Sequence, residues 1–189
     1  SEMCIRDSSG TVSLGMRPID LALRRRIGYM PEERGLYPKM KVGEQLQYLA
    51  ELHGLSRTDA ASTVRDWLTR LGIADRIDDT VDDLSLGNQQ RAQLAAALVH
   101  DPAVLVLDEP FSGLDPVAVD VMSDVLKEKA AQGVPVIFSS HQLDLVQRLC
   151  DRVGIIAKGE MRALGSVDEL RSHGAVSYTH LRAHETSLH

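Results

Sequence analysis

Cysteine is almost missing from this 189-residue chain, which carries two, Cys4 and Cys150. So few cysteines build neither a disulfide framework nor a cysteine metal cluster, and a reducing compartment such as the cytoplasm is expected. Cys150 reads as a small buried hydrophobe. Long apolar runs are missing as well: none approaches the ~20 residues that a membrane-spanning helix needs. No secretory signal is visible. Any service to a membrane would therefore go through a partner. An excess of basic residues is missing too. The formal net charge of −6 argues against nucleic acid as the main partner. No internal repeat or low-complexity tract appears.

Both ends lack periodicity, caps and turn signals. One codon choice for Ala175 to Arg182, read as its reverse complement, encodes Ser-Glu-Met-Cys-Ile-Arg-Asp-Ser, which are residues 1 to 8. The two ends can therefore be one DNA element read in opposite directions. Residues 1–8 and 175–189 are expected to be adapter-derived and are excluded from fold reasoning. The insert, residues 9–174, is long enough for one domain with a real core and is expected to be a piece of a longer protein.

Between those ends, elements alternate. Thr11 to Leu14 and Ile27 to Met30 are expected strands, separated by a polar stretch in which Arg24, Arg25 and Arg26 read as a solvated run. A loop follows from Pro31 to Lys41. Val42, Leu46, Leu49, Ala50 and Leu52 recur at helical spacing. A second amphipathic helix from Thr58 to Leu71 brings Ala61, Val64, Trp67 and Leu68 to one side, with Trp67 in the core. Gly54 and Gly72 stand where helix-ending glycines belong. After a polar segment from Asp75 to Asp83, a helix is expected from Asn88 to His100. Val104 to Leu107 is unbroken and apolar, the pattern of a parallel strand covered on both faces. Asp115-Pro116 supplies an N-cap and a first-turn proline for a helix to Gln132. A strand from Val134 to Phe138, a helix from Leu143 to Cys150 and a strand from Val153 to Ala157 complete the series. This alternation specifies an α/β fold with a mainly parallel sheet flanked by helices. His53, His100 and His173 read as structural.

Three stretches carry more. Leu84-Ser85-Leu86-Gly87-Asn88-Gln89-Gln90-Arg91 comes first, then Leu105-Val106-Leu107-Asp108-Glu109-Pro110 with Ser112-Gly113-Leu114-Asp115, then Ser139-Ser140-His141. In this order they resemble the signature loop, the Walker B strand with its D-loop, and the H-loop of an ABC transporter nucleotide-binding domain. The family's signature is LSGGQ, and here Leu86 and Asn88 depart from it. Ile27 to Glu32 is similar to the strand entering the family's Q-loop, with Glu32 where glutamine is usual. That substitution, the LSLGN signature and Arg34 to Pro38 resemble the ATPases of ABC-2-type exporters. The resemblance implies a P-loop NTPase-like fold, with residues 42–100 as an all-helical subdomain that docks on transmembrane subunits. Arg34 and Tyr37 would contact such a partner.

What the resemblance implies about chemistry falls on specific residues. In open parallel sheets ligands bind beyond the carboxyl ends of strands, where Asp108 and Glu109 stand. Asp108 would hold Mg²⁺, with Glu32 as a second carboxylate able to ligate it. Glu109 would be the general base and His141 would reach the terminal phosphate of ATP. Ser85, Gly87 and Asn88 open a helix whose free N–H groups favour an anion. In the family that loop closes over ATP held by a second nucleotide-binding domain, and Asp115 would couple the two sites. A helix cap is the alternative reading of both Ser85 and Asp115. ATP, Mg²⁺, transmembrane permease subunits and a second such domain are the implied cofactors and partners, and the implied place is the cytoplasmic face of the cell membrane.

One part is missing. Nowhere does the chain carry G-x-x-x-x-G-K-[ST], whose backbone N–H groups and lysine cradle nucleotide phosphates. The parent protein is expected to hydrolyse ATP for an exporter, while this chain alone is expected to be inactive, with apolar sheet surface uncovered. A non-transporter ABC ATPase and a non-enzymatic fragment are the alternatives.

Overall fold

The computed structural model describes residues 10–33 and 35–172, and the side chains only to residue 170. The adapter-like ends, Arg34 and His173 lie outside the described residues. The chain divides into two compact units, one through His141 and one from Gln142.

The first unit opens with a small antiparallel hairpin of β1 (Ser13–Leu14) and β2 (Arg17–Pro18), then a single helical turn, α1 (Leu21–Arg24). Its sheet is parallel throughout. β3 (Ile27–Met30) pairs with β4 (Val104–Leu107), and β4 with β5 (Val136–Phe138). Side chains alternate between the faces of a sheet. Gly28, Met30, Leu105 and Leu107 therefore share one face, and Met30, Leu105 and Leu107 are buried there. Tyr29, Val106 and Ile137 stand in register on the other, with Tyr29 60% and Ile137 61% exposed. The apolar run at β4 predicts cover on both faces; the face of Leu105 and Leu107 is buried, while on the other Val104 is buried and Val106 is half-buried beside exposed Tyr29 and Ile137. The reason is that cover is a matter of which elements reach a face, and hydrophobicity along one strand records only that a face suits burial.

Three helices lie between β3 and β4 in the chain: α2 (Val42–Leu52), α3 (Arg57–Arg70) and α4 (Leu86–Leu98). Ser56 caps α3 by accepting from the Asp59 amide, and Ser85 caps α4 by accepting from the Asn88 amide. Ser85 thus fixes the helix start earlier than hydrophobic periodicity suggests. Gly54 and Gly72 end the first two helices with φ of +98° and +70°. The polar segment before α4 winds into two short 3₁₀ turns. One stripe of each helix faces the shared core: Val42, Leu46 and Ala50; Ala60, Val64, Trp67 and Leu68; Ala92, Leu94, Ala95 and Leu98. Helix α5 (Pro116–Ala131) starts at Asp115, whose side chain accepts from the Ala118 amide. Its Lys129 is buried but paired, with Nζ 2.9 Å from Asp101 Oδ1 and 5.5 Å from the Trp67 ring. A buried charge without such partners would be costly.

The ends of α2 and α4 meet through two histidines. The rings of His53 and His100 stack with centroids 4.0 Å apart and an interplanar angle of 22°. Burial, and next the neighbouring His53, push His100 from 6.5 down to about 4. The unfolded chain then takes up this proton first as the pH falls. Stability is full above about pH 6.5, is lost progressively between 6.5 and 4, and stays low beneath that window. The whole shift would be worth about 3 kcal/mol, but the residue is only half-buried and solvent screening reduces this to about 1–2 kcal/mol. Urea unfolding at steps from pH 7 to 4 should therefore show a shallower pH dependence in His100→Gln than in the wild type. Parallel curves would remove His100 from the account.

The second unit contains α6 (Leu143–Leu149), the antiparallel pair β6 (Arg152–Ala157) and β7 (Glu160–Ser166), and α7 (Val167–Ser172). β7 has no counterpart among the expected strands. Its partner is close in sequence, and Lys158 and Gly159 turn the chain with φ of +54° and +77°. Cys150 is half-buried rather than fully buried. Among the described residues no helix is long and apolar enough to cross a membrane.

Candidate functional site

The carboxyl ends of three adjacent parallel strands bring the chemistry-bearing residues of the first unit together. The Asp108 amide donates to the Met30 carbonyl at 2.8 Å, so β4 holds its register with β3 one residue past its own end. The next residue breaks from the sheet. Glu109 has φ of +45°, a left-handed conformation that a side chain other than glycine adopts at a cost of about 1 kcal/mol or more. Its amide donates to Ser139 Oγ at 3.0 Å, and its carbonyl accepts from the Ser112 amide at 3.1 Å.

Ser139 stands at the end of β5, where its amide donates to the Leu107 carbonyl. Its hydroxyl accepts from the Glu109 amide and donates to Asp108 Oδ1. One side chain thus ties both acidic residues to the neighbouring strand. Two residues on, His141 Nδ1 lies 3.0 Å from Glu109 Oε2. The histidine side chain is 73% exposed and the glutamate side chain 16%. The carboxylate is therefore largely shielded and faces an imidazole that solvent and a ligand can reach. Phe111 anchors the loop beneath, buried and packed edge-on to Phe138 with centroids 5.7 Å apart.

Glu32 lies two residues beyond Met30, exposed on a bend at this same edge of the sheet. Its loop is pinned further along. Buried Gln45 accepts from the Tyr37 amide at 2.7 Å and donates back to the Tyr37 carbonyl at 3.3 Å. Tyr37 itself is 68% exposed.

No group of three or more His, Cys, Asp or Glu able to hold a metal occurs among the described residues. That excludes a cage made of these side chains alone. It fits Mg²⁺, which keeps several waters and takes one or two carboxylates together with substrate phosphates. Asp108 is a carboxylate that could take this part, and the Ser139 hydroxyl donates to it.

Ser85, Gly87, Asn88 and Asp115 fall in a second cluster rather than beside Glu109. Ser85 is exposed at the N-terminus of α4, with Gly87 and Asn88 half-buried in the first turn. Asp115 caps α5 and lies 3.9 Å, through Oδ2, from Arg91 Nη2 on α4. Both cap readings hold, and both side chains remain accessible.

Sequence reasoning missed Ser139 as a site residue. Its only signal is proximity to His141, because its contact with Asp108 spans 31 positions and depends on strand register. It missed the left-handed backbone of Glu109 as well, which no local preference of glutamate announces.

Comparisons with known proteins identify the family. The profile of the family described as ABC transporter matches residues 3–112. The uncharacterized ABC transporter ATP-binding protein YhaQ of Bacillus subtilis (strain 168) is 43% identical over 173 residues, covering 91% of this chain and 58% of that protein. Nod factor export ATP-binding protein I of Burkholderia lata is 36% identical over 161 residues, covering 84% of this chain and 53% of that protein. Among solved structures, cbiO1 from Clostridium perfringens, part of the ABC transporter complex cbiONQ, is similar with a TM-score of 0.73 at 28% identity, covering 92% of this chain and 72% of that one. The chain spans just over half the length of the two curated relatives.

Proposed function

The chain belongs to the ABC transporter family, on its ATP-binding side, and from that premise we propose that it is part of a subunit that binds and hydrolyses ATP to drive an exporter. The observation that carries the proposal is the cluster of Asp108, Glu109, Ser139 and His141 at the ends of β4 and β5. A residue that activates water must lie within hydrogen-bond reach of it and be held still. Glu109 meets the second condition through its own turn, the Ser139 hydroxyl and the His141 ring.

The roles follow from those positions. Glu109 accepts a proton from the water that attacks the terminal phosphorus. His141 steadies the Glu109 carboxylate through Nδ1 and offers its exposed edge to phosphate oxygens. Asp108 holds Mg²⁺, with Glu32 as a further carboxylate at the same sheet edge. The ion supplies neutralisation of charge on the phosphates. Ser139 is a positioning residue: it sets Asp108 and the Glu109 backbone relative to each other. Ser85, Gly87 and Asn88 offer the first turn of α4 to the ATP of a second nucleotide-binding domain, and Asp115 stands beside them.

Residues 9–174 are then a partial nucleotide-binding domain, with the helices within residues 42–100 docking on transmembrane permease subunits at the inner face of the cell membrane. Residues 1–8 and 175–189 are adapter-derived. Export as the direction rests on the resemblance of the signature and of Glu32 to ABC-2-type ATPases, and the Nod factor export relative agrees with it. A non-enzymatic fragment is the second reading for residues 1–189 themselves, favoured by exposed Tyr29 and Ile137 on the open sheet face.

The test is a chimera in which a segment carrying a G-x-x-x-x-G-K-[ST] loop precedes residue 9. Phosphate release from Mg-ATP is expected to appear, and His141→Ala should abolish it. Ser139→Ala should lower kcat about 10- to 100-fold with little change in KM, and Ser139→Thr should restore it. Turnover that ignores both alanine substitutions would remove these residues from the mechanism.

A further inference from the structure

We propose that the turn before α4 and the turn before α5 are one coupled element, with Leu86 and Arg91 as the positioning residues that carry a displacement at Ser85 to Asp115 within the same chain. Leu86 is 57% exposed, yet its side chain lies over the backbone of Gly113. A methyl group placed on residue 113 would sit 2.4 Å from Leu86 Cδ2 and 3.1 Å from Cγ. Gly113 also has φ of +69°, a region open to glycine at no steric cost. On the other side the fit is looser: a methyl group on Gly87 would meet Leu114 Cδ2 at 3.6 Å and the Gly113 carbonyl at 3.8 Å, ordinary van der Waals distances. The two turns therefore lie against each other, with Leu86 on Gly113 as the tight point.

Arg91 adds a second tie. Its side chain is 14% exposed, Nη1 donates to the Leu71 carbonyl at 3.3 Å, and Nη2 reaches Asp115 Oδ2 at 3.9 Å. The other oxygen of Asp115 accepts from the Ala118 amide. One carboxylate thus joins the cap of α5 to the second turn of α4. Moving the backbone of residue 113 then requires the Leu86 side chain to move with it or to lose its contact. Leu86 also stands where LSGGQ has a glycine, which offers no side chain to reach residue 113. This tie is a property of the present chain's own sequence.

The coupling itself stands on these contacts alone. Its meaning, that nucleotide contact at Ser85 moves Asp115, rests on the proposed function. The experiment uses residues 1–189 without nucleotide, so failed turnover in the chimera would overturn the function and leave the coupling standing. Hydrogen exchange is measured amide by amide. Leu86→Gly and Arg91→Met are each expected to speed exchange of the Ala118 amide on the order of fivefold, Asp115→Ala to do the same at Asn88, and Leu86→Met to leave Ala118 unchanged. Effects confined to the substituted turn would overturn the proposal. Should Leu86→Gly fail to fold, a denaturation cycle decides. Gly113→Ala is expected to shift the folding equilibrium on the order of fivefold less in a Leu86→Ala background than in the wild type. Equal shifts in the two backgrounds would refute the contact.

Discussion

Residues 1–189 by themselves are expected to release no phosphate from ATP beyond a Glu109→Gln control, whereas the chimera carrying a phosphate loop should lose about 10²- to 10⁴-fold in turnover on the same substitution. The two halves of this result have separate causes. Glu109, His141, Asp108 and Ser139 assemble within the described residues, so the groups proposed to handle the proton and the metal are already in place. What they act on must be brought to them. Holding a reactant in productive geometry is worth about 7–11 kcal/mol of the barrier, and in nucleotide hydrolases a G-x-x-x-x-G-K-[ST] loop supplies much of it through backbone N–H groups and a lysine. The chain has no such sequence. Asp108 cannot substitute, because in the proposed role its hold on Mg²⁺ would depend on phosphates as co-ligands. Phosphate release measured by a coupled assay, with and without the loop, checks both statements. Robust turnover by residues 1–189 alone would overturn the first. A chimera whose turnover is unchanged by Glu109→Gln would overturn the second.

Gly28→Ala is expected to cost about 3 kcal/mol or more, the upper end for overpacking. Gly28 lies in β3, one residue from its start, and α4 crosses directly over it. An added methyl group would lie 2.3 Å from the Ala97 carbonyl oxygen and 2.6 Å from Leu105 Cδ2. A side chain tip can swing aside, but a helix carbonyl moves only with its helix. Shifting α4 would disturb Leu94, Ala95 and Leu98, all buried. Urea unfolding should show the midpoint lowered by roughly 1–3 M at an unchanged slope. Gly87→Ala is the contrast: its methyl group would make an ordinary 3.6 Å contact with Leu114 in the first turn of a helix, and alanine favours a helix over glycine by about 0.8–1.0 kcal/mol. That variant should be as stable as the wild type or more so. Equal midpoints for Gly28→Ala and the wild type would mean that α4 does not pack on β3 as described.

Much of the architecture was legible before any coordinates. Ile27–Met30, Val42–Leu52 and Val104–Leu107 form where periodicity places them, and Asp115 caps its helix ahead of Pro116. Each of these signals is local: a repeat of 2 or 3.6 residues, a cap within a turn, a glycine at a helix end. Other expectations shifted at their margins. The strand expected from Val134 begins at Val136, and the strand expected from Thr11 shortens to Ser13–Leu14. Pairing with a neighbour decides where a strand ends, and the neighbour is distant in sequence.

The sequence by itself determined the α/β alternation, the helix caps, the apolar stripes and the order of motifs that marks the family, because each depends on residues within a few positions of one another. Only the tertiary structure decided that Ser139 binds Asp108 and the Glu109 amide, that Glu109 turns left-handed to meet His141, that His53 stacks on His100, and that Leu86 rests on Gly113. These contacts join residues 27 to 47 positions apart, apart from the adjacent turn at Glu109, through strand register and helix packing. No spacing rule written along the chain encodes that register; it exists once β3, β4 and β5 have paired and α4 has settled on Gly28.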